Sequence, residues 1–193
     1  RALAEDPGNG KAIQVLIDVY FADGDYAKAV PELEKSLEKD GDVIKWYALG
    51  KAKAETGDVQ GALNAFTTAL RLRPDDEVSR IVMEDTIIRQ VQDRDSSERR
   101  KAAQDRFERA AVYEQNNRTD PARQEYRRGL ELAPYHNQGR INYARTFKRS
   151  GDYGKYLSLL ELVRTEAPAH RDIRPAIQLF RRITEEPVSS AWP

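Results

Sequence analysis

Between Val43 and Pro74 the chain reads VIKWYALGKAKAETGDVQGALNAFTTALRLRP. Its apolar and small residues fall at Trp46, Leu49 and Gly50 and then, past Gly57, at Ala62, Phe66 and Ala69. Steps of three and four residues put these positions on one face of each of two helices. The glycine between them marks a tight turn, and Pro74 stops the second helix. The same pattern recurs at Ile13, Leu16, Tyr20, Gly24, Ala29 and Leu33, ending at Gly41 where a proline is expected. It returns at Ala110, Tyr113, Ala122, Tyr126, Gly129 and Pro134, and again at Tyr143, Ala144, Phe147, Gly151, Leu160 and Pro168. Each unit predicts a helical hairpin. Gly50, Ala110 and Ala144 are small enough to let the two helices approach, and the aromatic and leucine positions fill the wedge between them. Phe66 is expected at the centre of such a wedge. The expectation is an all-helical chain of about ten helices without a sheet, since one hairpin cannot bury its apolar face alone and neighbours must stack.

The two histidines support a period. Ala133-Pro134-Tyr135-His136 is echoed by Ala167-Pro168-Ala169-His170, 34 residues on. They occupy the same position in successive units, one helical layer apart. Packed helices lie roughly 8–10 Å from each other, too far for two imidazoles to share one metal ion, so the pair reads as a ruler and not as a metal site.

The phase breaks once. The hairpin beginning at Val43 and the one beginning at Ala103 are offset by 60 residues, where two periods would give 68. EVSRIVMEDTIIRQVQ, from Glu77, is helical in pattern, with Val78, Ile81, Val82, Ile88 and Val91 on one face. Asp95-Ser96-Ser97-Glu98 resembles a capping box that opens a long helix to about Gln115. The segment is either a degenerate repeat or a bend that shapes a partner site. The expected organisation is the tail of a preceding repeat over residues 1–9, two repeats over 10–76, an inserted helix and phase break over 77–102, two repeats over 103–170, a capping helix over 171–186, and a tail over 187–193 toward a further domain.

The spacing of Trp46, Leu49, Gly50, Ala62, Phe66, Ala69 and Pro74 resembles the tetratricopeptide repeat. The other three units are similar to it at most of their signature positions. Lys53 departs from the pattern, standing where the family usually has a tyrosine. The resemblance implies a right-handed superhelical α-solenoid, an array whose first helices line a concave groove that binds peptides, and a protein–protein interaction scaffold without catalysis.

Composition changes this picture little. The chain has 193 residues, 32 Lys plus Arg against 32 Asp plus Glu, and no cysteine. Disulfides and thiolate chemistry are therefore excluded. Residues 1–76 hold 10 basic and 14 acidic residues, leaving 22 and 18 for residues 77–193, where 19 of the basic residues are arginine. So small a basic excess does not predict a nucleic-acid partner. No apolar run reaches the ~20 residues that span a bilayer, so no membrane insertion of this segment is expected. RALAEDP reads as the end of a helix begun upstream and VSSAWP as an interrupted tail, so the expectation is a piece of a larger bacterial protein.

Candidate chemistry is sparse. PGNGKA (Pro7–Ala12) lacks the spacing and the Ser or Thr of a phosphate loop and reads as a turn. Asn117-Arg118-Thr119 is a formal glycosylation sequon. Glu84 and Asp85 read as a solvated pair. No enzyme, metal or cofactor is predicted. The resemblance implies groove positions at Lys11, Gln14, Asp18 and Phe21; Ile44, Tyr47, Lys51 and Glu55; Gln104, Phe107, Glu108, Ala111 and Glu114; and Gln138, Ile141, Asn142, Arg145 and Arg149. The carboxylate clamp of chaperone-tail binders is absent, its places being taken by Gln14, Asp18, Ala48, Gln104 and Glu108. The candidate partner site is Gln138, Asn142, Arg145 and Arg149 on one helix stripe, with Tyr47, Lys51 and Phe107 as further contacts; Phe107 has a packed-core position as its alternative. The stripe reads either as a solvated face or as a receptor for an acidic or amide-rich partner segment, because arginine recognises carboxylates in a bidentate manner. The expected partner is a protein or peptide, and the chain is expected to be monomeric. An alternative is a structural subunit of a cell-envelope assembly, docking through its ends. EYRRGLELAPY is loosely similar to segments of spirochaetal tetratricopeptide proteins of the periplasmic flagellar collar, which favours the envelope as the compartment.

Overall fold

The structure, a computed structural model, describes residues 10–38 and 41–166 together with positions 173 and 178. Among them are nine α-helices and no strand: α1 (Gly10–Asp23), α2 (Tyr26–Leu37), α3 (Val43–Glu55), α4 (Val59–Leu72), α5 (Glu77–Gln90), α6 (Ser97–Gln115), α7 (Thr119–Leu132), α8 (Asn137–Arg149) and α9 (Tyr153–Glu166). The chain divides into two compact units at Gln92 and Asp93. The tail at 1–9, Pro168, His170 and the 187–193 tail lie outside the described residues. So does the capping segment 171–186, apart from Ile173 and Gln178.

The four hairpins share one turn. Gly24, Gly57 and Gly151 have φ of 75°, 83° and 79°, and Asn117 takes the equivalent place at 57°. The next residue then donates its N–H five residues back: Asp25 to Tyr20 O at 2.8 Å, Asp58 to Lys53 O at 2.9 Å, Arg118 to Tyr113 O at 2.8 Å and Asp152 to Phe147 O at 3.0 Å. The left-handed residue turns the chain back and the bond satisfies a carbonyl that the helix end would otherwise leave free.

In the first unit Ile17, Ala29, Leu33, Leu49, Ala52 and Ala65 form a buried cluster across α1 to α4. Phe66 is fully buried against Gly50, where an added Cβ would lie 2.7 Å from the ring. That is the expected wedge. α5 follows, and Gln90 Nε2 donates to Ala54 O at 2.9 Å, satisfying a carbonyl in the last turn of α3. Its buried side carries Ser79, Met83, Glu84, Thr86 and Ile87, whereas Val78 and Ile81 are exposed. The apolar row that includes Val78 and Ile81 is therefore not the side on which this helix packs. Thr86 explains part of the difference: its hydroxyl donates to Val82 O at 2.8 Å, so the polar residue is satisfied within its own helix. Glu84, read from sequence as solvated, is also buried.

In the second unit α6 starts one residue later than the capping-box reading requires. Ser96 is the N-cap and accepts from Arg99 N at 3.2 Å. The third helical position is then Arg99, not Glu98, and no reciprocal box forms. Ile141, Ala144, Tyr156, Leu160, Val163 and Ile173 form the core between α8 and α9.

Candidate functional site

The predicted stripe lies on α8, whose N-terminus is capped by His136. The imidazole Nδ1 accepts the Gly139 N–H at 2.9 Å, and burial holds the His136 pKa below its ordinary value. From this fixed start the polar face runs in steps of four and three. Gln138 Nε2 donates to Asn142 Oδ1 at 2.9 Å, and an Arg145 guanidinium N–H reaches the same oxygen at 3.4 Å. The Asn142 amide nitrogen donates no hydrogen bond among the described residues. Arg145 is exposed and makes no ion pair among the described residues.

Arg149 differs from Arg145. Its guanidinium meets Glu114 Oε1 on α6 at 2.7 Å, and the other carboxylate oxygen accepts the Tyr126 hydroxyl at 2.8 Å. Burial first, and then this hydrogen bond, raise the Tyr126 phenol well above its usual range. The Glu114 side chain is 15% exposed and that of Arg149 62%. Glu114 is thus anchored from below by Tyr126 and shielded from above by Arg149, and two predicted groove residues neutralise each other.

Phe107 takes the packed-core position, the alternative to a groove contact. It is 6% exposed, with its ring over Gly129 and Gly139, where an added Cβ would come within 2.5 and 2.6 Å, and 4.7 Å from the His136 ring. Ile141, named as a groove position, is also in the core. A groove position and a wedge position can be adjacent on one helix, which is why spacing alone does not separate them.

The remaining candidates lie in the first unit. Lys51 Nζ sits 5.7 Å from the Phe21 ring centroid; Phe21 packs edge-on to Tyr26 at 5.3 Å. Tyr47 is half-buried, 6.3 Å from Phe66. Gln14 and Asp18 bond to each other at 3.0 Å, and in the second unit Gln104 bonds to Glu108 at 2.9 Å.

Much of the arginine excess in the second unit is structural. Arg106 and Arg109 take the places that Trp46 and Leu49 hold in the second repeat. They reach Glu125 at 2.9 and 3.3 Å, and the Arg106 and Glu125 side chains are 5% and 11% exposed. Arg99 donates to Leu132 O at 3.2 Å in the interior. Arg123 stacks 4.1 Å over Phe147 and donates to Thr146 O at 3.0 Å. Sequence reasoning missed these. The signal was present, though: arginine occupied apolar signature positions with a glutamate on the facing helix.

No group of three or more His, Asp or Glu among the described residues could hold a metal ion. No helix among them is long and apolar enough to cross a membrane.

A tetratricopeptide repeat family model matches residues 1–54, and a second tetratricopeptide repeat model matches residues 46–76 and 106–136. Similar solved structures include a thermophilic TPR protein of Thermus thermophilus (19% identity, 88% of this chain and 97% of that one, TM-score 0.43). MamA of Desulfovibrio magneticus is similar at 16% identity over 82% of this chain and 97% of that one, TM-score 0.43. YrrB, described as a TPR protein with an unusual peptide-binding site, is similar at 16% identity over 92% of this chain and 96% of that one, TM-score 0.44. A comparison with curated proteins found no match.

Proposed function

Since this chain belongs to the tetratricopeptide repeat family, a family of protein–protein interaction scaffolds, we propose that its second unit binds an acidic, extended segment of a partner protein along α8, without catalysis. The observation that carries this reading is the ladder Gln138–Asn142–Arg145, whose members are tied to one another and whose arginine is exposed with no ion pair among the described residues. A donor row on a rigid helix suits carboxylates and backbone carbonyls. The guanidinium of Arg145 can take a carboxylate with two parallel hydrogen bonds, and the Asn142 amide can take a main-chain carbonyl. Holding the side chains in place beforehand reduces the ordering cost of binding. Arg149 is already partnered by Glu114, so Arg145 supplies the uncompensated positive charge of the stripe.

The reading is tested with a blocked hexaglutamate peptide and a blocked hexalysine peptide, each titrated into the full chain by calorimetry. Hexaglutamate binds saturably at low salt and weakens several-fold between roughly 20 and 300 mM salt, as screened surface charges require. Arg145→Glu abolishes that binding, and hexalysine does not bind at α8. Equal binding of hexaglutamate by the Arg145→Glu variant removes the proposal.

A further inference from the structure

Lys53 is the point where this chain leaves its own pattern. The turn bonds make Tyr20, Lys53, Tyr113 and Phe147 equivalent, since each is the carbonyl acceptor that closes its hairpin. Three are aromatic. Around Phe147 the space is filled by the stacked Arg123 guanidinium. At Lys53 there is no ring; the side chain instead turns to Glu34 of α2 at 2.8 Å and to Asp58 at 3.7 Å. Its hydrogen bond to Glu34 is the largest reason that the ammonium group's pKa is raised. Beside this ion pair lies a groove of about 480 Å³, within the first unit, bounded by α2, α3 and α4. Its walls include Leu37, Trp46 and Leu49, with Glu34, Glu38 and Lys53 supplying the charge.

We propose that this groove takes an arginine side chain from a segment of a partner protein. Lys53 is neutralised by Glu34, while Glu38 makes no ion pair among the described residues, so the charged wall carries a net negative charge. An acidic side chain would meet two carboxylates. A phenyl ring would desolvate Glu38 and give it no donor, which is unfavourable for a carboxylate. An arginine satisfies all three surfaces. Its methylene stem covers the partly buried Leu37, its plane stacks on the partly buried Trp46 indole, and its fork of N–H groups reaches Glu38. A lysine has the charge but neither the plane nor the fork. The wider charge agrees, since residues 1–76 hold 14 acidic against 10 basic residues. This site is independent of the α8 stripe and selects the opposite charge, so each can fail without the other.

The chain has two tryptophans, so Trp192→Phe in the full chain leaves Trp46 as the sole reporter. Its indole N–H resonance is followed while blocked acetyl-amino-acid amides are added. Acetyl-arginine amide shifts it saturably, at lower concentration than acetyl-lysine amide, and acetyl-glutamate amide leaves it in place. Glu38→Gln, at an exposed residue, raises the half-saturation concentration at least about threefold, the range of an exposed ion pair, with an unchanged circular dichroism spectrum. Tighter binding of acetyl-phenylalanine amide overturns the proposal in favour of an apolar anchor site. Tighter binding of free arginine than of the blocked amide overturns it in favour of a metabolite site. Shifts that depend on protein concentration without any probe assign the groove to a second copy and overturn it too. So does a resonance that no probe moves, or an arginine shift unaffected by Glu38→Gln.

Discussion

The His136 imidazole lies 4.7 Å from the Phe107 ring, tilted by 35°, while its Nδ1 accepts the Gly139 N–H at 2.9 Å. One side chain therefore covers the core and caps α8, and both tasks need the neutral ring. Burial lowers its pKa in the folded chain, so the unfolded chain binds more protons just below the ordinary histidine value of about 6.5. Stability should be level above that pH, fall as pH drops through the lowered folded value, and level off below it. Urea denaturation between pH 5 and pH 8 reads this slope. His136→Asn keeps a cap acceptor, costs about 1 kcal/mol in lost ring packing, and should remove this contribution to the slope. An unchanged slope in the variant would assign the effect to His170 or to carboxylates elsewhere.

Phe107 itself is tested through its glycine neighbours. Glycine to alanine inside a helix normally stabilises by roughly 0.5–1 kcal/mol. At Gly139 the new methyl would lie 2.6 Å from the Phe107 ring, so Gly139→Ala should instead cost about 1–3 kcal/mol. Adding Phe107→Leu to Gly139→Ala should recover part of the loss, a non-additivity that only residues in contact show. Thermal melts of the two single variants and the double variant decide it.

Glu125 holds two arginines, one of them deeply buried. Removing the carboxylate leaves buried positive charge without its counter-ion. Glu125→Ala should therefore cost about 3–5 kcal/mol, measurable by urea denaturation. A loss below about 1 kcal/mol would mean that water replaces the carboxylate without penalty.

What the sequence made legible was whatever repeats. Phe66, Gly50 and the turn glycines follow from spacing, because steric wedges and left-handed turns accept few residue types. Asn117 shows the tolerance of that rule: it holds φ of 57° where the other turns use glycine, and asparagine is one of the few other residues to do so. What was not legible depends on partners brought together by folding. The register of α5 could not be read from Val78 and Ile81, since Ser79 and Thr86 are satisfied locally, Ser79 by donating to Asp76 Oδ2 at 2.5 Å. The α8 stripe was visible as a helical row. That Arg149 is tied to Glu114, 35 residues earlier, was not.

That tie separates two arginines that look equivalent in sequence. Arg145 is exposed and among the described residues its guanidinium hydrogen-bonds along the stripe to Asn142, so Arg145→Glu should change stability by no more than about 0.5 kcal/mol. Arg149→Glu sets a second carboxylate against Glu114, whose side chain is 15% exposed and already holds the Tyr126 hydroxyl. Like charges at that distance in a partly desolvated site disfavour both ionised forms, and the cost should be about 1–2 kcal/mol, lessened by Glu114→Gln in the same chain. Acidification should also relieve the Arg149→Glu variant, since protonating one carboxylate removes the repulsion; its deficit against the parent chain should shrink as pH falls toward about 4. Urea denaturation of the parent, both single variants and the Arg149→Glu, Glu114→Gln double variant at neutral and acid pH makes the comparison. Equal stability of the two single variants would show that the Arg149–Glu114 contact contributes nothing in solution, and Arg149 would then be as available to an acidic partner as Arg145.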